Sequence, residues 1–150
     1  MKKLKLQEST VKIKKSNLEQ IKRGANCEQY PAFSFQHMTM NHKYNFNYFS
    51  KKMLHDEQKV KSALINKLIE ISSNTWLGIS GQGKKWGFET IPQSEINFSP
   101  ENYTMSKDSK YCVFQFNNHN MRIIGIKKDL CPIYYIIGFD FDFSAYNHGG

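Results

Sequence analysis

The residues best suited to chemistry lie near the end of the chain. Arg122 opens an apolar run, Lys127 and Lys128 close it, and Tyr146 and His148 sit in the tail Ser144-Ala-Tyr-Asn-His-Gly-Gly. On adjacent antiparallel strands such residues can converge on one sheet end. Together they suit metal-free RNA cleavage. A base must take the proton of a ribose 2′-hydroxyl, a cation must stabilise the crowded phosphorane, and an acid must protonate the leaving oxygen. His, Tyr and Lys can move the protons; Arg and Lys can carry the charge. Arg122 is informative because lysine outnumbers arginine 19 to 2. A guanidinium binds phosphate bidentately and stays charged. The plainer alternative is that Tyr146 packs on the sheet and His148 belongs to a frayed terminus.

Two other constellations compete. Asp140 and Asp142 lie two apart in Ile133–Phe143. Strand periodicity puts them on one face with Tyr134, Ile136 and Gly138, opposite Ile133, Tyr135, Ile137, Phe139 and Phe141. Such a pair can bind a divalent ion, as in a metal-dependent nuclease, with His119 or His148 as a further ligand. The reading favoured here is a solvated strand end, with no metal and no cofactor, because no third acidic ligand is suitably spaced. Gly78-Ile-Ser-Gly-Gln-Gly-Lys-Lys-Trp-Gly87 forms a glycine-rich basic loop. It is no Walker A, since the spacing differs and no Ser or Thr follows the lysine. Lys84 and Lys85 can meet phosphate there, and Trp86 can stack a base. Equally, Trp86 can pack back on the core.

These residues need a scaffold, and the hydrophobic pattern supplies one. Pro31–Met38 alternates as a strand. Residues 41–52 are polar and aromatic, a second strand or a loop. Asp56 starts a helix running to about Ser72, with Val60, Leu64, Leu68 and Ile71 on one face and Ala63, Ile65 and Ile69 widening it. Three strands end the chain: Tyr111–Phe116, Met121–Lys127 and Ile133–Phe143. Their short connections predict an antiparallel meander. The whole reads as one α+β domain over residues 30–150, an antiparallel sheet with one main amphipathic helix on one face.

The chain has 150 residues and a net charge of +8, unevenly placed. Residues 1–85 carry 16 Lys or Arg against 6 Asp or Glu, and residues 86–150 carry 5 against 7. Residues 1–29 read as a basic arm in which Lys12, Lys14 and Lys15 are candidates for nucleic-acid contact. The cysteines, Cys27, Cys112 and Cys131, are odd in number and hold no C-x-x-C. That argues against a disulfide framework and for a reducing compartment, the cytoplasm. No apolar run approaches the roughly 20 residues of a membrane span.

The order of elements, ending in Arg122-Ile-Ile-Gly-Ile, Ile133-Tyr-Tyr-Ile-Ile-Gly-Phe and Tyr146-Asn-His, resembles the RelE/HigB/ParE-like toxin superfamily over roughly residues 53–148. The resemblance implies a small basic bacterial toxin of a toxin–antitoxin or phage-defence module. It implies metal-independent cleavage of RNA, on the ribosome in many relatives, and an antitoxin protein as partner. Arg122 would contact phosphate and Tyr146 would act in proton transfer, with Lys127 and Lys128 as looser matches. Placement at strand ends, rather than the resemblance, adds Lys128 and His148 to the catalytic set at the rim of the same pocket. The chain departs from the pattern by its extra residues at 1–29 and 78–108 and by its acidic last strand. A non-catalytic nucleic-acid- or protein-binding module is the alternative.

Overall fold

The computed structural model describes residues 29–52 and 55–149. The basic arm, with Lys12, Lys14 and Lys15, lies outside the described residues.

A five-stranded sheet forms the centre, in the order β1-β5-β4-β3-β2. The strands are β1 (Ala32–Ser34), β2 (Phe88–Pro92), β3 (Lys110–Phe116), β4 (Met121–Lys127) and β5 (Ile133–Asp140). β3, β4 and β5 form the expected antiparallel meander, with Gln115 opposite Arg122 and Arg122 opposite Asp140. The sheet is mixed rather than wholly antiparallel, because β1 pairs parallel with β5. A parallel pair needs a long crossover, and the helices between β1 and the meander provide it.

Among the described residues three helices precede the meander: α1 (Tyr48–Lys51), α2 (Glu57–Ser72) and α3 (Trp76–Gln82). Val60, Leu64 and Ile71 of α2 are buried, while Ile65 and Ile69 are exposed. The buried stripe is therefore narrower than the sequence suggests. Residues 41–52 form a 3-10 turn at His42–Tyr44 followed by α1, not a strand. The glycine-rich segment is also helical. Thr75 caps α3 by accepting from the Gly78 amide, and a 3-10 turn follows at Gly83–Trp86. Trp76 and Ile79, one turn apart, are buried by that helix and account for it.

Both sheet faces are covered. On one, the helices pack Val60, Leu64, Ile71, Trp76 and Ile79 against Phe114, Ile123, Tyr134, Ile136 and Phe139. On the other, residues 93–109 and the tail bring Ile96, Phe98, Ala145 and Tyr146 onto Val113, Ile124, Ile126 and Ile137. Sheets buried on both sides read as continuous apolar runs, which explains Ile133–Phe139.

A bulge resets the alternation along β5. Ile124 pairs with Gly138 but Gly125 pairs with Ile136, so Ile137 is the extra residue. Tyr134 and Ile136 consequently share the helix-side core with Phe139 and Phe141. Asp140 falls on the other face, beside Gly138, and no longer with Tyr134 and Ile136. Gly138 is needed here: a Cβ would lie 2.5 Å from the Phe98 ring.

Candidate active site

The tail is folded back over the sheet by Asp140. Its side chain is fully buried and accepts from the Ser144 amide at 2.9 Å and the Ala145 amide at 3.0 Å. Between them Phe143 takes a positive φ of 63°. The Asn97 amide then binds the Ala145 carbonyl at 2.8 Å, and the Asn97 side chain binds Ser144 O at the same distance. This turn delivers Tyr146 and His148 to the end of β4 where Arg122 stands.

Arg122 and Tyr146 share a sheet face and touch. The Arg122 Nε donates to the Tyr146 hydroxyl at 3.0 Å, and that hydroxyl donates to Glu89 Oε1 at 2.7 Å. Glu89 Oε1 is also 3.7 Å from Arg122 Nε. Arg122 Nη1 donates to the carbonyls of His119 at 2.6 Å and Met121 at 3.1 Å. The Phe143 ring lies 5.0 Å from the guanidinium carbon. His148 stacks on Phe143 with ring centroids 3.4 Å apart, and the Tyr146 ring is 4.0 Å away. A cleft of about 350 Å³ opens beside them, lined by Glu89, Ile91, Gln115, Arg122, Phe143, Tyr146, Asn147 and His148.

Burial sets the protonation of this cluster. It raises the Tyr146 hydroxyl above the ordinary tyrosine range, and the hydrogen bond to Glu89 adds to the rise. Tyr146 is therefore a protonated donor at neutral pH. Burial also lowers the His148 imidazole, helped by the Arg122 charge and opposed by Asp140. Its Nε2 is 3.6 Å from Asp140 Oδ2 and has no hydrogen-bond partner among the described residues. His148 is thus neutral at pH 7, the form that accepts a proton.

The remaining candidates lie elsewhere. Lys128 sits past the opposite end of β4, six residues from Arg122 and so about 20 Å along the strand. There its ammonium lies over the rings of Tyr103 and Tyr135. It is not part of the cluster. Lys84 and Lys85 are exposed in the 3-10 turn. The Trp86 ring packs edge-on against Phe114 and carries the Lys67 ammonium 4.1 Å from its centroid, which fastens the turn to the core. Asp140 and Asp142 do not act as a pair. Asp140 serves the tail turn, whereas Asp142 accepts from Ser144 Oγ and meets Lys43 at 3.8 Å. Among the described residues no group of three His, Cys, Asp or Glu side chains is placed to hold a metal. Burial pushes the Cys112 thiol up to about 11, away from nucleophilic chemistry.

Glu89 is the residue that sequence reasoning missed. The alternation Phe88-Glu-Thr-Ile was its signal, and Pro92 with the preceding glycines masked it. Gln115 was missed as well; its position follows directly from the register of β3 against Arg122.

No family model matches the chain, and no curated protein or solved structure matches it either. Among the described residues no helix is long and apolar enough to cross a membrane.

Proposed function

We propose that the protein is a small basic toxin-like endoribonuclease of a toxin–antitoxin or phage-defence module, cleaving RNA without metal at the Arg122 cleft. One observation carries the reading: Arg122 of β4, Glu89 of β2, and Tyr146 and His148 of the tail meet at one cleft. In the reaction, neutral His148 takes the 2′-hydroxyl proton. The 2′-oxygen attacks phosphorus and Arg122 holds the phosphorane charge. Tyr146 gives its proton to the departing 5′-oxygen, while Glu89 orients Tyr146 and Arg122. The products are a 2′,3′-cyclic phosphate and a 5′-hydroxyl. Lys84 and Lys85, with Lys12, Lys14 and Lys15 of the arm, would attract the strand.

A second reading has its own observation. The Arg122 side chain is only 6% exposed, and its Nε and Nη1 are already bound within the protein. Glu89 and Asp140 also leave the cluster net acidic. A buried, satisfied guanidinium of this kind clasps a chain terminus, and the protein would then be a non-catalytic binding module.

Arg122→Ala and Tyr146→Phe separate the two. Under the cleavage reading, Arg122→Ala lowers the cleavage rate more than it lowers RNA affinity, because phosphorane charge grows in the transition state. Equal loss of both, or RNA binding with no turnover by the wild type, supports the clasp. Cleavage abolished by EDTA and restored by Mg²⁺ would overturn the proton-transfer mechanism.

A further inference from the structure

A second cavity, of about 630 Å³, lies on the segment between β1 and α2 and is lined by Met40, Asn41, His42, Lys43, Tyr48, Lys51 and Lys52. Among the described residues its lining gathers three ammonium groups and no carboxylate. Of these three lysines only Lys43 has a carboxylate of the described residues within 4 Å, Asp142 at 3.8 Å; Lys51 and Lys52 have none among them. Like charges held in one concavity favour an anionic occupant.

The neighbouring surface has the complementary character. An apolar cleft of about 350 Å³ adjoins the basic one and shares Met40 with it, with Phe35 and Phe46 in its walls. These are large apolar side chains left open to solvent: Met40 is 68% exposed, Phe35 52% and Phe46 45%. Cations beside exposed rings are what a single strand needs, since phosphates take the charge and bases take the rings. A free phosphate would use only the lysines, and an apolar peptide would use only the rings.

We propose that these joined clefts form a binding site for single-stranded RNA, with Lys43, Lys51 and Lys52 on successive phosphates and Phe35, Phe46 and Met40 under the bases. The site is separate from the Arg122 cleft. It draws on the reading above only for the choice of polymer, and it stands whether or not the protein cleaves.

The test uses the full chain and a fluorescein-labelled 2′-O-methyl oligouridine, which binds as RNA does but lacks the 2′-nucleophile. Anisotropy titrations are run over a range of salt. For K43Q/K51Q/K52Q the affinity falls about tenfold or more, and the slope of log K against log salt shrinks by about 2, three phosphates at about 0.7 each. Phe35→Ala weakens binding about fivefold or more with the slope unchanged, the signature of lost stacking. K107Q/K110Q removes exposed lysines elsewhere and changes affinity less than about twofold. Unchanged binding by the triple variant, or an equal loss in K107Q/K110Q, overturns the site. Unchanged binding by Phe35→Ala overturns the assignment to RNA and leaves a bare anion site. If the wild type binds this probe through the clefts but never cuts unmodified RNA, the cleavage reading fails and this one survives.

Discussion

Tyr146→Phe removes a single oxygen and tests how the tail is held. That oxygen makes two hydrogen bonds, from Arg122 Nε at 3.0 Å and to Glu89 at 2.7 Å, both with charged partners. Bonds to charged groups contribute about 1.5–3 kcal/mol each. The losses do not simply add. Glu89 Oε1 already stands 3.7 Å from Nε and can close on it, re-forming one bond. Glu89 is also partly exposed, so water recovers some of its solvation. The net destabilisation is therefore about 2 kcal/mol, one charged bond's worth. At this chain length that lowers Tm by about 4–8 °C. Urea unfolding followed by tryptophan fluorescence measures it directly, because Trp76 and Trp86 both pack on the sheet through Phe114. Glu89→Gln in the Tyr146→Phe background should show strong non-additivity, since the two residues share one network. A midpoint within error of the wild type, or strictly additive losses, would refute the three-way contact.

Leu64 is 1% exposed whereas Leu68 is only partly buried, so Leu64→Ala costs about 3–5 kcal/mol and Leu68→Ala distinctly less, read from denaturant midpoints. Equal costs would mean that α2 is rotated from the orientation described. Gly138→Ala forces a methyl against the Phe98 ring and costs about 1–3 kcal/mol; a neutral thermal melt would contradict that close approach. His148 has a lowered pKa in the folded state, so below pH 6.5 the unfolded chain binds its proton first. Its contribution to stability is complete above pH 6.5 and is lost as pH falls toward the lowered value. His148→Gln should flatten this part of the stability profile between pH 7.5 and pH 5, and an unaltered profile would show that His148 is not buried as described.

The meander was legible because short turns between apolar runs leave few alternatives, and β4 falls at Met121–Lys127 as its pattern implies. From that came the meeting of Arg122 with Tyr146. The first strand was legible in the alternation of Pro31–Met38, although only Ala32–Ser34 pairs. Its parallel direction was not, because the partner and sense of so short a pairing with β5 follow only from where the meander ends. The bulge at Ile137 was hidden for a related reason. Both faces of β5 are apolar, so a one-residue slip changes nothing in the pattern while moving Asp140 to the opposite face. The glycines of 78–87 suggested a loop, but tertiary burial of Trp76 and Ile79 outweighs their weak helix propensity. Glu89 escaped because its partners, Arg122 and Tyr146, are joined to it only through the folded sheet. The placement of Lys128 beside the site failed on strand length alone, a distance that the sequence already contained.

The central claim is metal-free RNA cleavage at the Arg122 cleft, and end-group analysis tests it most directly. The purified full chain is incubated with a labelled unmodified RNA in excess EDTA, and the termini of the products are determined. The mechanism predicts 2′,3′-cyclic phosphate and 5′-hydroxyl ends, formed at the same rate with or without EDTA and lost in Arg122→Ala. Intact RNA, or products bearing 5′-phosphate ends, would contradict it.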